Sequence, residues 1–202
     1  MHKQPARSTS LDRLQRPALL VALAGLVLAA LGAWVDLRQF WRSYLLAYLF
    51  WLEIGLGCLA LVMLHHLAGG RWSARIRRIM ETGALTLLPM ALLFLPLLLG
   101  LAALYPWADP GWMQHDEIVQ QKAAYLNVPF FIARAVVYFA VWATLAWLLH
   151  RWSLAQDRGD PAATARMRRL SAAGMILYML TATFAGYDWL MSLEPEWFSS
   201  AY

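Results

Sequence analysis

The chain has 202 residues, of which 61% are hydrophobic and only 14% charged, and its mean hydropathy is +0.49. Water-soluble domains run near half apolar and a quarter charged, so this composition excludes one and indicates a membrane protein. The net charge of +5 falls in short clusters between apolar runs, not in one basic stripe, which argues against nucleic acid as a partner. The single cysteine, Cys58, excludes a disulfide framework or thiolate metal cluster built by this chain alone.

In chain order, residues 1–16 form a basic tail ahead of a transmembrane domain over 17–202. A membrane-spanning helix needs about 20 mostly apolar residues. Five stretches qualify, at about 17–35, 44–67, 79–104, 128–150 and 170–191, and they define an all-α, polytopic membrane helix bundle with five transmembrane helices. Pro17 suits the first turn of the first span. That span lacks a small-residue cleavage site and runs into Trp34, Asp36 and Arg38, so it reads as an uncleaved helix. In the third, Pro89 and Pro96 stand seven positions apart, which predicts a bend and a neighbouring helix covering the affected face.

Lys and Arg in alternate connecting segments number 13 against 3. Positive residues stay inside, so the N-terminus and the second and fourth loops are expected in the cytoplasm. The other segments hold Asp36, Asp109, Asp116, Glu117, Glu194 and Glu196 among Trp34, Trp41, Tyr105, Trp107, Trp112, Trp197 and Phe198. That set reads as an interfacial aromatic belt or as a docking surface for an extracytoplasmic subunit.

Ionisable groups inside a bilayer are expensive and mark function or specific pairing. Glu53, Arg134 and Asp188 fall about 13, 9 and 5 Å below the outer boundary at 1.5 Å per helical residue. Similar depth predicts a Glu53–Arg134 pair, with Asp188 as a second partner. Such a cluster serves either as a bundle lock or, through a carboxylate of raised pKa, as a proton carrier or a ligand for a quinol head group. At the inner end stand His65, His66, Glu81, Thr82, Thr86 and His150. Arg77 and Glu81 are spaced for a helical i,i+4 ion pair. The histidines suit a proton-uptake point leading toward Glu81, or haem ligation. No phosphate loop, HExxH, paired-cysteine spacing or nucleophile elbow is present in the sequence, so the chain carries no evident catalytic apparatus of its own.

Several blocks together resemble one family. They are His65-His66-Leu-Ala-Gly-Gly-Arg71-Trp72, Ile76-Arg77-Arg78-Ile79-Met80-Glu81, the run from Leu95 to Gly100 with Leu104-Tyr105-Pro106-Trp107, the stretch from Lys122 to Arg134, and the closing Gly186-Tyr187-Asp188-Trp189-Leu190-Met191-Ser192-Leu193-Glu194-Pro195-Glu196-Trp197-Phe198-Ser199. Over roughly 40–202 the chain is similar to the F subunit of bacterial alternative complex III, a membrane subunit of polysulfide-reductase type. The resemblance implies a subunit of a quinol:electron-acceptor oxidoreductase in the respiratory chain, near a quinol-binding subunit, with no haem or iron–sulfur centre of its own and a part in proton conduction. The other subunits of that complex, the lipid bilayer and quinol are the partners it implies. It also implies the N-terminal half of a ten-helix subunit. The alternative is a structural membrane anchor for extracytoplasmic electron-transfer subunits, without a proton role.

Overall fold

The computed structural model describes residues 9–69, 76–109, 111 and 122–194. Lys3, Arg7, Arg71, Arg75, Trp112, Asp116, Glu117, Glu196, Trp197 and Phe198 lie outside the described residues. All regular structure among the described residues is helical, and five helices are long and apolar enough to cross a membrane. Residues 1–43 and 44–202 form two units, each described by itself.

In the first unit, α1 spans Thr9–Val35, and Pro17 lies inside it instead of in its first turn. Hydropathy marks only the part of a helix that suits hydrocarbon, so a helix can begin in the polar tail before it. The leucines and valines of α1 from Leu19 to Val35 are spread around the helix, as suits a helix that is apolar on every side and crosses a membrane. Asp36 follows, and its Oδ1 accepts a hydrogen bond from the Gln39 N–H at 3.0 Å, an N-cap for the next helix.

That helix, α2, spans Leu37–Ala68 and carries the chain into the second unit. It closes on Gly69 at φ 67°, the left-handed position that ends many helices.

The third apolar stretch is broken into α3 (Arg77–Leu85), α4 (Leu87–Leu93), α5 (Leu95–Leu99) and α6 (Leu101–Leu104). The interruptions at Thr86 and Phe94 precede Pro89 and Pro96 by three and two residues. A proline ring collides with the carbonyl four residues back and offers it no N–H, so the helix must shift there. At the second break the Leu97 N–H bonds to Phe94, three residues back, in place of Leu93. Tyr44 Oη on α2 donates to the Leu93 carbonyl at 2.8 Å, and Tyr48 Oη donates to that of Met90 at 3.1 Å. The helix is interrupted where the prolines predict disturbance, and phenols of α2 cover it.

Two long helices complete the bundle. α7 spans Val128–Asp157, capped by Asn127, whose side chain accepts from the Phe130 N–H at 2.9 Å. α8 spans Ala163–Trp189, after a turn with Gly159 at φ 89°. These helices outrun the apolar stretches by seven residues at the two ends joined by the Arg158–Ala162 turn, because the polar turns there continue the same hydrogen-bond ladder. They lie close together: a Cβ on Gly174 would sit 2.7 Å from Leu145 Cδ2. Gly83 likewise brings α3 against α2, where a Cβ would meet Cys58 Sγ at 2.5 Å. Small residues at such crossings allow the close backbone approach on which helix association in lipid depends.

Candidate functional site

The polar residues inside the bundle gather at its two ends, and α7 connects them. Near the start of α7, Arg134 Nε and Nη2 donate to Asp188 Oδ2 and Oδ1 on α8 at 2.8 and 2.9 Å. This fork-to-carboxylate geometry is the strongest form of the pair. Tyr138, one turn beyond Arg134, donates its hydroxyl to Asp188 Oδ2 at 2.7 Å, and Arg134 Nη1 donates to the Tyr125 carbonyl at 2.9 Å. The guanidinium carbon lies 3.9 Å from the Tyr125 ring centre and 4.4 Å from that of Phe130. Asp188 is fully buried.

Aromatic side chains seal this pair. Phe94 lies 5.0 to 6.2 Å, centroid to centroid, from Trp189, Phe139, Tyr48 and Phe131. Tyr105 Oη donates to the Trp189 carbonyl at 3.0 Å. Outside the spans, burial first and the Asp188 charge second push the Tyr125 phenol up to about 12. The same two causes raise Tyr105. Both therefore stay neutral across the physiological range.

Glu53 is not part of this cluster, and the expected Glu53–Arg134 pair does not form. Equal depth along two helices does not fix equal azimuth, and Asp188 occupies the guanidinium fork. The Glu53 side chain is exposed and makes no ion pair among the described residues. It lines an open groove of about 300 Å³ between α2 and α8, with Leu49, Leu52, Leu56 and Gly57 on its own side and Ala182, Ala185 and Gly186 opposite.

At the other end, Glu81 on α3 is 2% exposed and is held by three side chains, with a fourth nearby. Arg77 Nε lies 3.2 Å from Oε1, Arg78 Nη1 2.8 Å from Oε2, and Ser153 Oγ donates to Oε1 at 2.5 Å. His150 Nδ1 stands 3.7 Å from Oε2, beyond hydrogen-bond length. The expected Arg77–Glu81 pair is present, and it extends further. Arg77 also reaches Gln156 at 2.8 Å and Asp157 at 3.3 Å, and Arg78 pairs with Asp157. His65 and His66 lie next to each other on α2, with ring centres 5.2 Å apart, and Nε2 of His66 is buried without a hydrogen-bond partner.

Nineteen residues separate Arg134 from Ser153, about 28 Å along α7. The buried side chains between them include Phe139, Trp142, Leu145, Ala146 and Leu149. The polar contact described at this level is that of Trp142 Nε1 with Thr181 Oγ1, at 2.9 Å. Sequence reasoning missed Tyr138 and Ser153. Tyr138 stands one helical turn from Arg134, and that spacing could have found it. Nothing marked Ser153 among the other small polar residues.

Five apolar crossing helices with salt-bridged carboxylates buried at the two ends of α7 define a multi-pass helical membrane protein. No protein-family model matches the chain, and no curated protein does.

Proposed function

We propose that the chain is an integral-membrane subunit of a quinol:electron-acceptor oxidoreductase of the respiratory chain, akin to the F subunit of alternative complex III, holding no redox cofactor itself. One observation carries this reading. The Arg134–Asp188 pair joins the two most distinctive blocks behind the resemblance, the stretch from Lys122 to Arg134 and the one from Gly186 onward. These blocks lie far apart in sequence, and a shared buried fork gives a physical reason for both.

On this reading the chain sits in the bacterial inner membrane with its N-terminus in the cytoplasm. The Glu81 network then faces the cytoplasm and the Arg134–Asp188 pair faces outward, as the 13-to-3 distribution of basic residues favours. Within such a complex the anchoring role is the better supported, because both clusters are closed by short bonds and apolar side chains lie between them. A proton-conducting part keeps one observation in its favour, the Glu53 carboxylate in its groove with no ion pair among the described residues.

The test is affinity purification of the tagged chain from native membranes. The expected result is co-purification of a haem-bearing partner and quinol oxidation by the assembly. A chain recovered alone, with neither haem absorbance nor activity, overturns the reading. Glu53→Gln in the active assembly then separates the two roles. Unchanged proton translocation supports the anchor.

A further inference from the structure

The groove at Glu53 is unlike the rest of the bundle. Three carboxylates stand in the interior of the spans, and two of them, Asp188 and Glu81, are held by arginines. The third, Glu53, lies at the midpoint of α2, sixteen residues from Leu37 and fifteen from Ala68, with no ion pair among the described residues. An ionised carboxylate at that level facing acyl chains costs several kcal/mol, so a cation beside it is strongly favoured.

The walls of the groove point to the form in which that cation arrives. Beside Glu53 they present Gly57 and Ala182, then Ala185 and Gly186. A Cβ built on Gly57 or Gly186 would meet nothing within 4 Å, so the space in front of both backbones is open. Small side chains there allow another helix axis to come close. A small-molecule site, by contrast, gathers several convergent polar groups around its ligand, and here a single carboxylate stands among mostly apolar walls, with the Tyr178 hydroxyl and the Trp189 indole N–H as the other polar groups. One charge in a small-residue groove is suited to one opposite charge carried on a helix.

We propose that the groove between α2 and α8 receives a transmembrane helix of a partner subunit that brings one arginine or lysine to Glu53. The inference rests on the assembly part of the proposed function and is independent of its redox chemistry. It gives Glu53 the same kind of partner that Asp188 and Glu81 have, supplied from a different chain.

Dicyclohexylcarbodiimide, a lipid-soluble reagent for protonated carboxyl groups, tests it. Labelling of Glu53 is read by peptide mass spectrometry in the assembly within native membranes, and in the chain expressed alone in phosphatidylcholine vesicles. The expected result is modification in the lone chain and labelling about tenfold or more slower in the assembly, because a docked helix covers the carboxyl group. Equal labelling in both overturns the proposal, as does protection in the lone chain, which would mean that this chain fills its own groove. Charge reversal supplies the second arm. Recovered assembly should fall from wild type to Glu53→Gln and furthest in Glu53→Arg, while normal folding of the lone variants shows that the fault is in docking. Assembly of Glu53→Arg at the wild-type level overturns the proposal. A haem-bearing assembly whose Glu53 labels freely removes this inference and leaves the functional reading standing, whereas failure to recover any assembly removes both.

Discussion

The bundle holds two buried acids by opposite strategies. Asp188 meets one arginine and one tyrosine inside an aromatic shell, with the Arg134 side chain 10% exposed. Glu81 is equally buried, but its arginines reach toward water, and the outer pair Arg78–Asp157 is 40% and 49% exposed. A sealed pair has no substitute when one member is lost. A network with wet edges can turn to solvent, so the same chemical change should have very different costs at the two ends.

The largest expected effect follows from breaking the sealed pair. Asp188→Asn leaves the Arg134 guanidinium buried without its counter-charge and should cost about 3–5 kcal/mol. Thermal unfolding in detergent measures this, and a loss no greater than that of Glu81→Gln would refute the contrast. Glu81→Gln should come second, at about 1–3 kcal/mol, because Arg77 retains Gln156 and both arginines retain Asp157. Raising salt from low to high ionic strength should weaken the wild type only slightly and Glu81→Gln more. In that variant the exposed Arg78–Asp157 pair carries more of the load, and it is the screened one. Next comes Tyr44→Phe, which removes the donor to the Leu93 carbonyl and should cost about 1 kcal/mol in the same thermal unfolding measurement. The smallest effect is spectroscopic. In an ultraviolet titration the Tyr125→Phe difference should show a phenol that ionises only near pH 12.

Much of this architecture was legible in the sequence, for physical reasons that differ by element. Apolar length gave the five crossings, since hydrocarbon admits little else, and Pro89 and Pro96 gave the breaks in the third. Arg77–Glu81 was legible because an i,i+4 spacing fixes both distance and direction on one helix. The partner of Arg134 was not. Depth can be counted from a helix end, but which of two acids faces the guanidinium depends on how each helix is rotated. That rotation comes from packing at contacts such as Gly174 against Leu145, which no local pattern announces. Ser153 was illegible for the same reason, being one hydroxyl selected by a neighbour 72 residues away.

The phenols on α2 also bear on how the protein is made. The Leu93 carbonyl, released by the break before Pro96, obtains its donor from Tyr44. Released into lipid without that donor, it would be an unsatisfied acceptor in a solvent that cannot supply one. The segment from Arg77 to Leu104 is therefore an incomplete passenger until the preceding helix stands beside it. N-to-C synthesis meets this requirement, because the ribosome delivers Tyr44 to the membrane before the break at Phe94 that needs it.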